Sequence, residues 1–434
     1  MKQIMAKVPA ELVLKILNIV MGNAFHDKVD VRLREHSASQ TPQRYSELVR
    51  KDVFNLRLSC KYFHFYTWEA LARLISDRIF HLTAQGLEEL AIISTSPAAK
   101  HIKKLTFGVE RLSSEGVSVL GNLQQSQVFF RYEHLQMNMR RTLHHYIFYY
   151  ELNLRKQSFY GEELGTIFTR LLNLNTIRIT ALAEHTLIKH TIISKEILQL
   201  LCTERYFFLL PRFHTMMQIE TLHDVLTGIK KADLQLRHLL VHPTLRIPNL
   251  HMVPSYLLIS TFMSLRTLQI HPSISESDYD LILSAITRAL NYAPLLTTLN
   301  LSIPVHGSIP SHSSTFIFQT ARLANLVKFT LYSSYVDEES FITFLQGRSS
   351  TLRFLNLMDN GIDHTTWANV IRCIYDIGLD ELVICQLWVR TKRRQPINWV
   401  VQEFTLWDMV GGVPLHNVAR SVQVLHEFAA PELQ

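Results

Sequence analysis

Long apolar runs are absent from this 434-residue chain. No stretch approaches the roughly 18 uninterrupted apolar residues that a membrane-spanning helix needs, so the chain reads as soluble, with no membrane partner. Cysteine is scarce. Cys60, Cys202, Cys373 and Cys385 fit a reducing compartment, so an intracellular location, cytoplasm or nucleus, is expected. Their scatter matches no metal-ligand spacing. Glycine and proline number 14 each, too few for a long low-complexity linker. Catalytic signatures are missing too: no Gly-x-Ser-x-Gly elbow, no phosphate-cradling glycine loop and no His-Glu-x-x-His. The chain therefore reads as a non-enzyme without a cofactor. At 47% hydrophobic and 19% charged it has a globular balance and length enough for a large core.

Net charge is +7, a balance that raises the question of nucleic acid or an acidic partner. The basic residues are dispersed, however. The densest clusters are Arg390-Thr391-Lys392-Arg393-Arg394 and Arg140-Arg141. The first can be read as a nuclear import signal, a phosphate-binding patch or a solvated loop, and the loop is favoured. No face interleaves basic residues with aromatics, so no specific nucleic-acid partner is expected, only weak association that salt abolishes. Among 21 histidines the closest groupings are His144-His145, His185/His190 and His238/His242. The last pair falls on an expected strand running into Pro243, and each pair would need a third ligand from elsewhere. Ordinary histidines and no metal are expected. Asp337-Glu338-Glu339 stands where a helix would begin and suits the helix dipole better than acid–base chemistry.

A repeat organises the C-terminal part. A unit Leu-x-x-Leu-x-Leu, with Ile, Val or Phe sometimes replacing Leu, begins at Leu236, Leu265, Leu296, Leu326, Leu352 and Leu379. Successive starts lie 29, 31, 30, 26 and 27 residues apart, in or just above the range of leucine-rich repeats. Weaker copies start at Ile102 and Leu174. Helical patterns lie between the strands: Asp278 to Leu290 (apolar at Leu281, Ile282, Ala285, Ile286, Leu290), Glu338 to Leu345, and Thr365 to Tyr375. Strand followed by helix at a near-constant period predicts an α/β solenoid over 81–434. In the fullest copy, Asn360 stands eight residues after Leu352, where a side-chain amide can satisfy backbone groups as the strand turns away. Residues 109–173 break the period and read as a mostly helical insertion docked by aromatics.

The N-terminal 80 residues read differently. Pro9 suits a first helical turn, where its missing N–H would be unpaired anyway, and Glu11 meets the positive helix end. After it, Leu12, Val13, Leu14, Ile16, Leu17, Ile19 and Val20 occupy nearly every angle around the axis. A helix apolar all round must be buried all round, against its own domain on one side and a partner on the other. Lys2 and Lys7 before this stretch imitate a secretory signal, but Glu11 and Lys15 interrupt it and Pro9 opens it. In a second segment, 52–63, Leu56, Cys60 and Phe63 fall at i, i+4, i+7, with Phe54 and Leu58 on a neighbouring stripe. Trp68, Leu71, Ala72 and Ile75 continue the pattern. Residues 21–51 between the segments carry a charged run and Ser37-Ala38-Ser39-Gln40-Thr41-Pro42, and read as a surface loop.

Either segment alone fits an ordinary helical subdomain. In this order the two resemble the halves of an F-box, the segment by which substrate receptors join Skp–cullin ubiquitin ligases. With Ile102-Lys103-Lys104-Leu105-Thr106-Phe107-Gly108, the insertion, and Leu172-Asn173-Leu174-Asn175-Thr176-Ile177-Arg178-Ile179, the chain resembles F-box proteins of filamentous fungi. The resemblance implies an F-box domain at 1–80 that binds a Skp-family adaptor, and through it a cullin, by Pro9, Leu12, Ile16, Leu17, Leu56, Leu58 and Phe63. It implies an unidentified protein substrate on the repeat domain and no catalysis by the chain itself. The alternatives are an interaction scaffold with no ubiquitin role and, third, a basic nucleic-acid-binding protein.

Strand alternation also locates a substrate face. The second and third leucines of each unit point into the core, and the residues between and beside them face outward. The middle copies are polar there, while the C-terminal copies place Tyr332, Phe354, Met358 and Val383 on a face that should be wet. Contiguous exposed apolar residues mark binding surfaces, which makes these four the candidate substrate contacts. The competing reading is that the tail with Trp388, Trp399, Phe404 and Trp407 folds back and caps them.

Overall fold

A computed structural model describes residues 47–59, 64, 67–109, 137, 140–141, 144, 147–148, 151, 159–180, 217–242, 250–272, 279–303, 318, 323–363 and 367–390. The chain is mixed α/β with parallel strands and divides into two compact units. Unit 1 comprises Met1–Leu234 with His242–Leu245, and unit 2 comprises Gln235–Val241 with Arg246–Gln434.

Unit 1 runs α1 (Glu47–Ser59), α2 (Trp68–Ser76), β1 (Ile79–His81), α3 (Ala84–Ser94), β2 (Lys104–Gly108), α4 (Tyr160–Phe168), β3 (Thr176–Thr180) and α5 (Met217–Lys231). Strands β1, β2 and β3 lie side by side and parallel. Leu105 and Phe107 of β2 and Ile177 and Ile179 of β3 are buried together with Leu87 and Leu90 of α3. Thr83 caps α3 by accepting from Gly86 N at 3.1 Å. A Cβ at Gly86 would stand 2.1 Å from His81 O, so glycine alone lets β1 turn this tightly into α3. Helices α4 and α5 pack against each other through Gly161, Gly165 and Gly228. A Cβ on Gly228 would lie 2.7 Å from Leu164 Cβ and 3.1 Å from Phe168 Cε2. Lys231 bonds Glu162 across this contact.

Unit 2 runs β4 (His238–Val241), α6 (Ser255–Phe262), β5 (Thr267–Ile270), α7 (Tyr279–Asn291), β6 (Thr298–Ser302), β7 (Lys328–Tyr332), β8 (Tyr335–Val336), α8 (Glu338–Gln346), β9 (Phe354–Asp363), α9 (Ala368–Ile377) and β10 (Glu381–Arg390). The parallel order is β4-β5-β6-β7-β9-β10, with β8 beside β9. Register follows the repeat in phase: Leu239, Leu268, Leu299, Phe329, Leu355 and Leu382 stand level on successive strands. The six leading leucines, Leu236 to Leu379, are all buried. One carbonyl at the head of each strand accepts two N–H groups from the next: Arg237 O from Arg266 and Thr267, Arg266 O from Thr297 and Thr298, Thr297 O from Val327 and Lys328. Val327 O and Arg353 O continue the series, and Lys103 O does the same for Asn175 and Thr176 in unit 1. Equivalent backbone bonding at equivalent positions is what an in-phase repeat requires.

Asn360 is fully buried. Its Oδ1 accepts from Ser334 N at 3.1 Å and its Nδ2 donates to Leu331 O at 3.0 Å. The groups it satisfies belong to the end of the neighbouring strand β7, whereas β9 itself runs on to Asp363. Asp337 caps α8, accepting from Ser340 N at 3.0 Å and Ser340 Oγ at 2.6 Å. Helix α7 buries Ile282, Ile286 and Leu290, but Leu281 points to solvent. Helix α1 begins at Glu47, inside the stretch 21–51 expected as loop, because the Leu48 to Leu58 pattern extends the helix backwards. Strand β1 spans the boundary expected at 80 and pairs with β2, so a third short strand precedes the weak Ile102 copy. Within 109–173, the helical residues 137, 140, 141, 144, 147, 148 and 151 and helix α4 are described. Phe168 meets Phe107 edge-on at 6.3 Å and Tyr160 is buried, while Phe148 and Phe159 are largely exposed.

Candidate functional site

Two surfaces bear on function, one in each unit. In unit 2, alternation sends side chains of one parity to the face opposite the buried leucines. Register aligns them in rows across the sheet. The central row is Leu240, Gln269, Asn300, Thr330, Asn356 and Val383. Beside it stand Thr267, Thr298, Lys328, Phe354 and Glu381, all half-buried. On its other side lie Ser302, Tyr332 and Met358, with His271 two residues beyond Gln269.

This last row departs from expectation. His271 is 3% exposed and Met358 7%, and Ser302 is buried as well. The His271 and Tyr332 rings meet edge to face at 6.5 Å, and Gln269 Nε2 lies 3.3 Å from His271 Nε2. Large side chains on neighbouring strands are close enough to cover one another, so outward alternation alone does not make a position wet. Of the four expected substrate contacts, Val383 is exposed, Tyr332 and Phe354 are half-buried and Met358 is covered. The row is continuous, but it is not an exposed apolar patch. The central row carries a different feature: Asn300 Oδ1 and Asn356 Oδ1 are shielded from solvent and accept no hydrogen bond from the described residues. They stand two strands apart, roughly 10 Å. The tail residues Trp399, Phe404 and Trp407 expected as a cap lie outside the described residues, as does the Trp388 side chain.

In unit 1, helix α1 packs on α2. Val53 is fully buried and Leu56 half-buried, while Phe54 is 48% and Leu58 82% exposed. Phe54 and Leu58 are one turn apart and share a face. The joint to α2 is set by Arg57, whose guanidinium lies 3.5 Å from the Trp68 ring centroid. It also donates to His64 O at 3.3 Å and Thr67 Oγ1 at 3.5 Å. Sequence reading noted Trp68 but missed Arg57 as its partner. Pro9, Leu12, Ile16, Leu17 and Phe63, the other expected adaptor contacts, lie outside the described residues.

Among the described residues no three of His, Cys, Asp and Glu converge to hold a metal ion. No described helix is long and apolar enough to cross a membrane. The Cys373 thiol is buried, and burial, then the Asp376 charge, push its pKa up, which disfavours the reactive thiolate. No protein-family model matches the chain, and a search of curated proteins finds no match either.

Proposed function

We propose that the chain is the substrate receptor of a Skp–cullin–F-box ubiquitin ligase, a non-catalytic subunit that holds an adaptor with its N-terminal helices and a protein target with its repeat domain. On this reading the strands and helices of 81–434 form a leucine-rich-repeat-like solenoid, and α1 is part of the second half of the F-box. The observation that carries the reading is the Phe54–Leu58 pair: two large apolar side chains, one helical turn apart, held out by a helix whose adjoining face, about 100° round the axis, is anchored through Val53 and Arg57. Nothing in unit 1's own stability calls for a leucine left 82% exposed, whereas an adaptor groove would bury it for about 1.5–3 kcal/mol.

The test titrates the full-length protein with a purified Skp-family adaptor. Truncating an interface anchor costs about 2 kcal/mol or more, so Leu58→Ala combined with Phe54→Ala weakens binding by well over tenfold. The melting of the free protein changes little, because Leu58 is 82% and Phe54 48% exposed already. Leu12→Ala with Leu56→Ala weakens binding comparably. Wild-type protein that fails to bind any Skp-family adaptor refutes the reading and leaves the interaction scaffold without a ubiquitin role.

A further inference from the structure

Asn360 is followed by Gly361, and Asn-Gly occurs nowhere else in the sequence. Each of the two residues has its own structural reason. Asn360 ties β7 to β9, accepting from Ser334 N and donating to Leu331 O. Gly361 is buried and lies opposite Tyr335 of β8. A Cβ there would stand 2.6 Å from Tyr335 Cε1 and 2.8 Å from Tyr335 Cδ1, so any larger residue would have to displace that ring. Two separate packing requirements at neighbouring positions thus create the dipeptide in which an asparagine amide is chemically least durable.

The chemistry is internal to the chain. The Gly361 backbone nitrogen attacks Asn360 Cγ, and the new N–Cγ bond closes a five-membered succinimide. The Cγ–Nδ2 bond breaks, and Nδ2 leaves as ammonia with the proton that the backbone nitrogen gives up. Water then opens the ring at one of its two carbonyls. One opening leaves aspartate at 360, the other isoaspartate, whose main chain is one carbon longer. Water enters, ammonia leaves, and nothing is oxidised or reduced. Glycine favours the ring closure because it has no Cβ in the way and reaches backbone angles closed to other residues. The folded corner opposes the step in three ways. The Gly361 N–H is engaged with Ser334 O at 2.8 Å, both polar atoms of the Asn360 amide are bonded, and the side chain has no exposed surface. We propose that Asn360-Gly361 is a site of spontaneous deamidation, protected while the β7–β9 corner is closed and reactive when it opens, and that the product no longer holds the corner. A carboxylate at 360 faces Leu331 O without a proton to donate, out of water. Isoaspartate puts Gly361 out of step with Tyr335 and Trp388, its partners on the flanking strands. A reversible local opening of unit 2 thereby becomes a permanent one. The site does not depend on the ubiquitin-ligase reading.

The experiment ages the full-length protein in mildly alkaline buffer, folded and in unfolding urea, and follows the tryptic peptide Phe354–Arg372 by mass spectrometry with fragmentation. Replacement of NH2 by OH at Asn360 marks the product by mass. The folded rate is the unfolded rate multiplied by the fraction of time the corner stands open, so the folded protein reacts roughly 100-fold more slowly or less. That comparison needs no variant to fold. Ser334→Ala keeps the Asn-Gly step but removes the Oγ that accepts from Ile303 N, and while folded it reacts roughly fivefold faster than wild type or more. Asn369 lies in the same peptide, is exposed on α9 and precedes Val370. It stays intact throughout and serves as the internal reference. The deamidated fraction of the aged folded protein, separated by its extra negative charge, exchanges the Ser334 amide faster than the intact fraction. Equal rates with and without urea, a Ser334→Ala rate equal to wild type, modification of Asn369 ahead of Asn360, or full Ser334 protection in the deamidated fraction overturns the proposal.

Discussion

Asn360→Ala removes a side chain that ties the end of β7 to β9. The amide has no exposed surface and makes two bonds, Ser334 N to its Oδ1 at 3.1 Å and its Nδ2 to Leu331 O at 3.0 Å. Alanine leaves the buried Ser334 N–H without a partner, while Leu331 O keeps the ladder bond that goes with the Tyr332–Met358 pairing. Such a loss costs about 1–3 kcal/mol, before any cavity contribution. Around it Ser334 is bonded on every side. Its O accepts from Gly361 N at 2.8 Å, its Oγ donates to Tyr332 O at 2.7 Å, and Ile303 N donates to that Oγ at 2.8 Å. The damage should therefore be local to the β6–β7–β9 corner. Because the chain has two compact units, a single unfolding free energy is poorly defined. Native-state hydrogen exchange at the Ser334 amide, with the urea midpoint of unit 2, is the suitable assay. Asn360→Asp sharpens the test by its sign. The carboxylate keeps the acceptor for Ser334 N but faces Leu331 O without a donor, so burial raises its folded-state pKa above the unfolded value near 3.9. Its destabilisation is full at neutral pH and shrinks as pH falls through the folded pKa, where a protonated carboxyl can donate again. A loss under about 1 kcal/mol for Asn360→Ala with protection of Ser334 retained, or an Asn360→Asp protein no more stable relative to wild type in acid, would refute the argument that this amide holds the corner.

Gly228→Ala places a methyl 2.7 Å from Leu164 Cβ and should destabilise the α4–α5 pair by about 1–3 kcal/mol, read as a lower urea midpoint for unit 1. Asp337→Ala removes the cap that holds Ser340 N at 3.0 Å and should cost about 1 kcal/mol, with Asp337→Ser recovering most of it. His242 has a folded pKa lowered to about 4, below the unfolded value near 6.5, so the unfolded chain takes up its proton first. Its share of stability is complete above pH 6.5, declines as pH falls toward 4, and is at most about 3 kcal/mol. His242→Gln should flatten the stability–pH curve of unit 1 over that window, and an unchanged slope would count against the assigned burial.

The Leu-x-x-Leu-x-Leu spacing by itself determined which residues are strands, which side chains face the core and how neighbouring strands align. The reason is local: a period of two decides which side chains share a face, and burial of one face leaves a single register that keeps the leucines of β4 to β9 inside, although Leu382 and Ile384 of β10 are only half-buried. Helix starts were legible on the same footing, since Asp337 caps through a residue three positions on. Asn360 was legible as a satisfying amide, but its partners lie on another strand. Which outward positions stay wet was decided only in three dimensions, because cover for His271 and Met358 comes from neighbours that spacing does not specify. The Phe54–Leu58 face showed as a stripe, but its exposure emerged only when Val53 and Arg57 anchored the adjoining side. The Asn360-Gly361 step stands in the sequence, but only the Tyr335 ring against Gly361 explains why glycine follows this asparagine. Local periodicity dictates direction, whereas which directions meet depends on contacts between distant segments, and only the folded chain makes those.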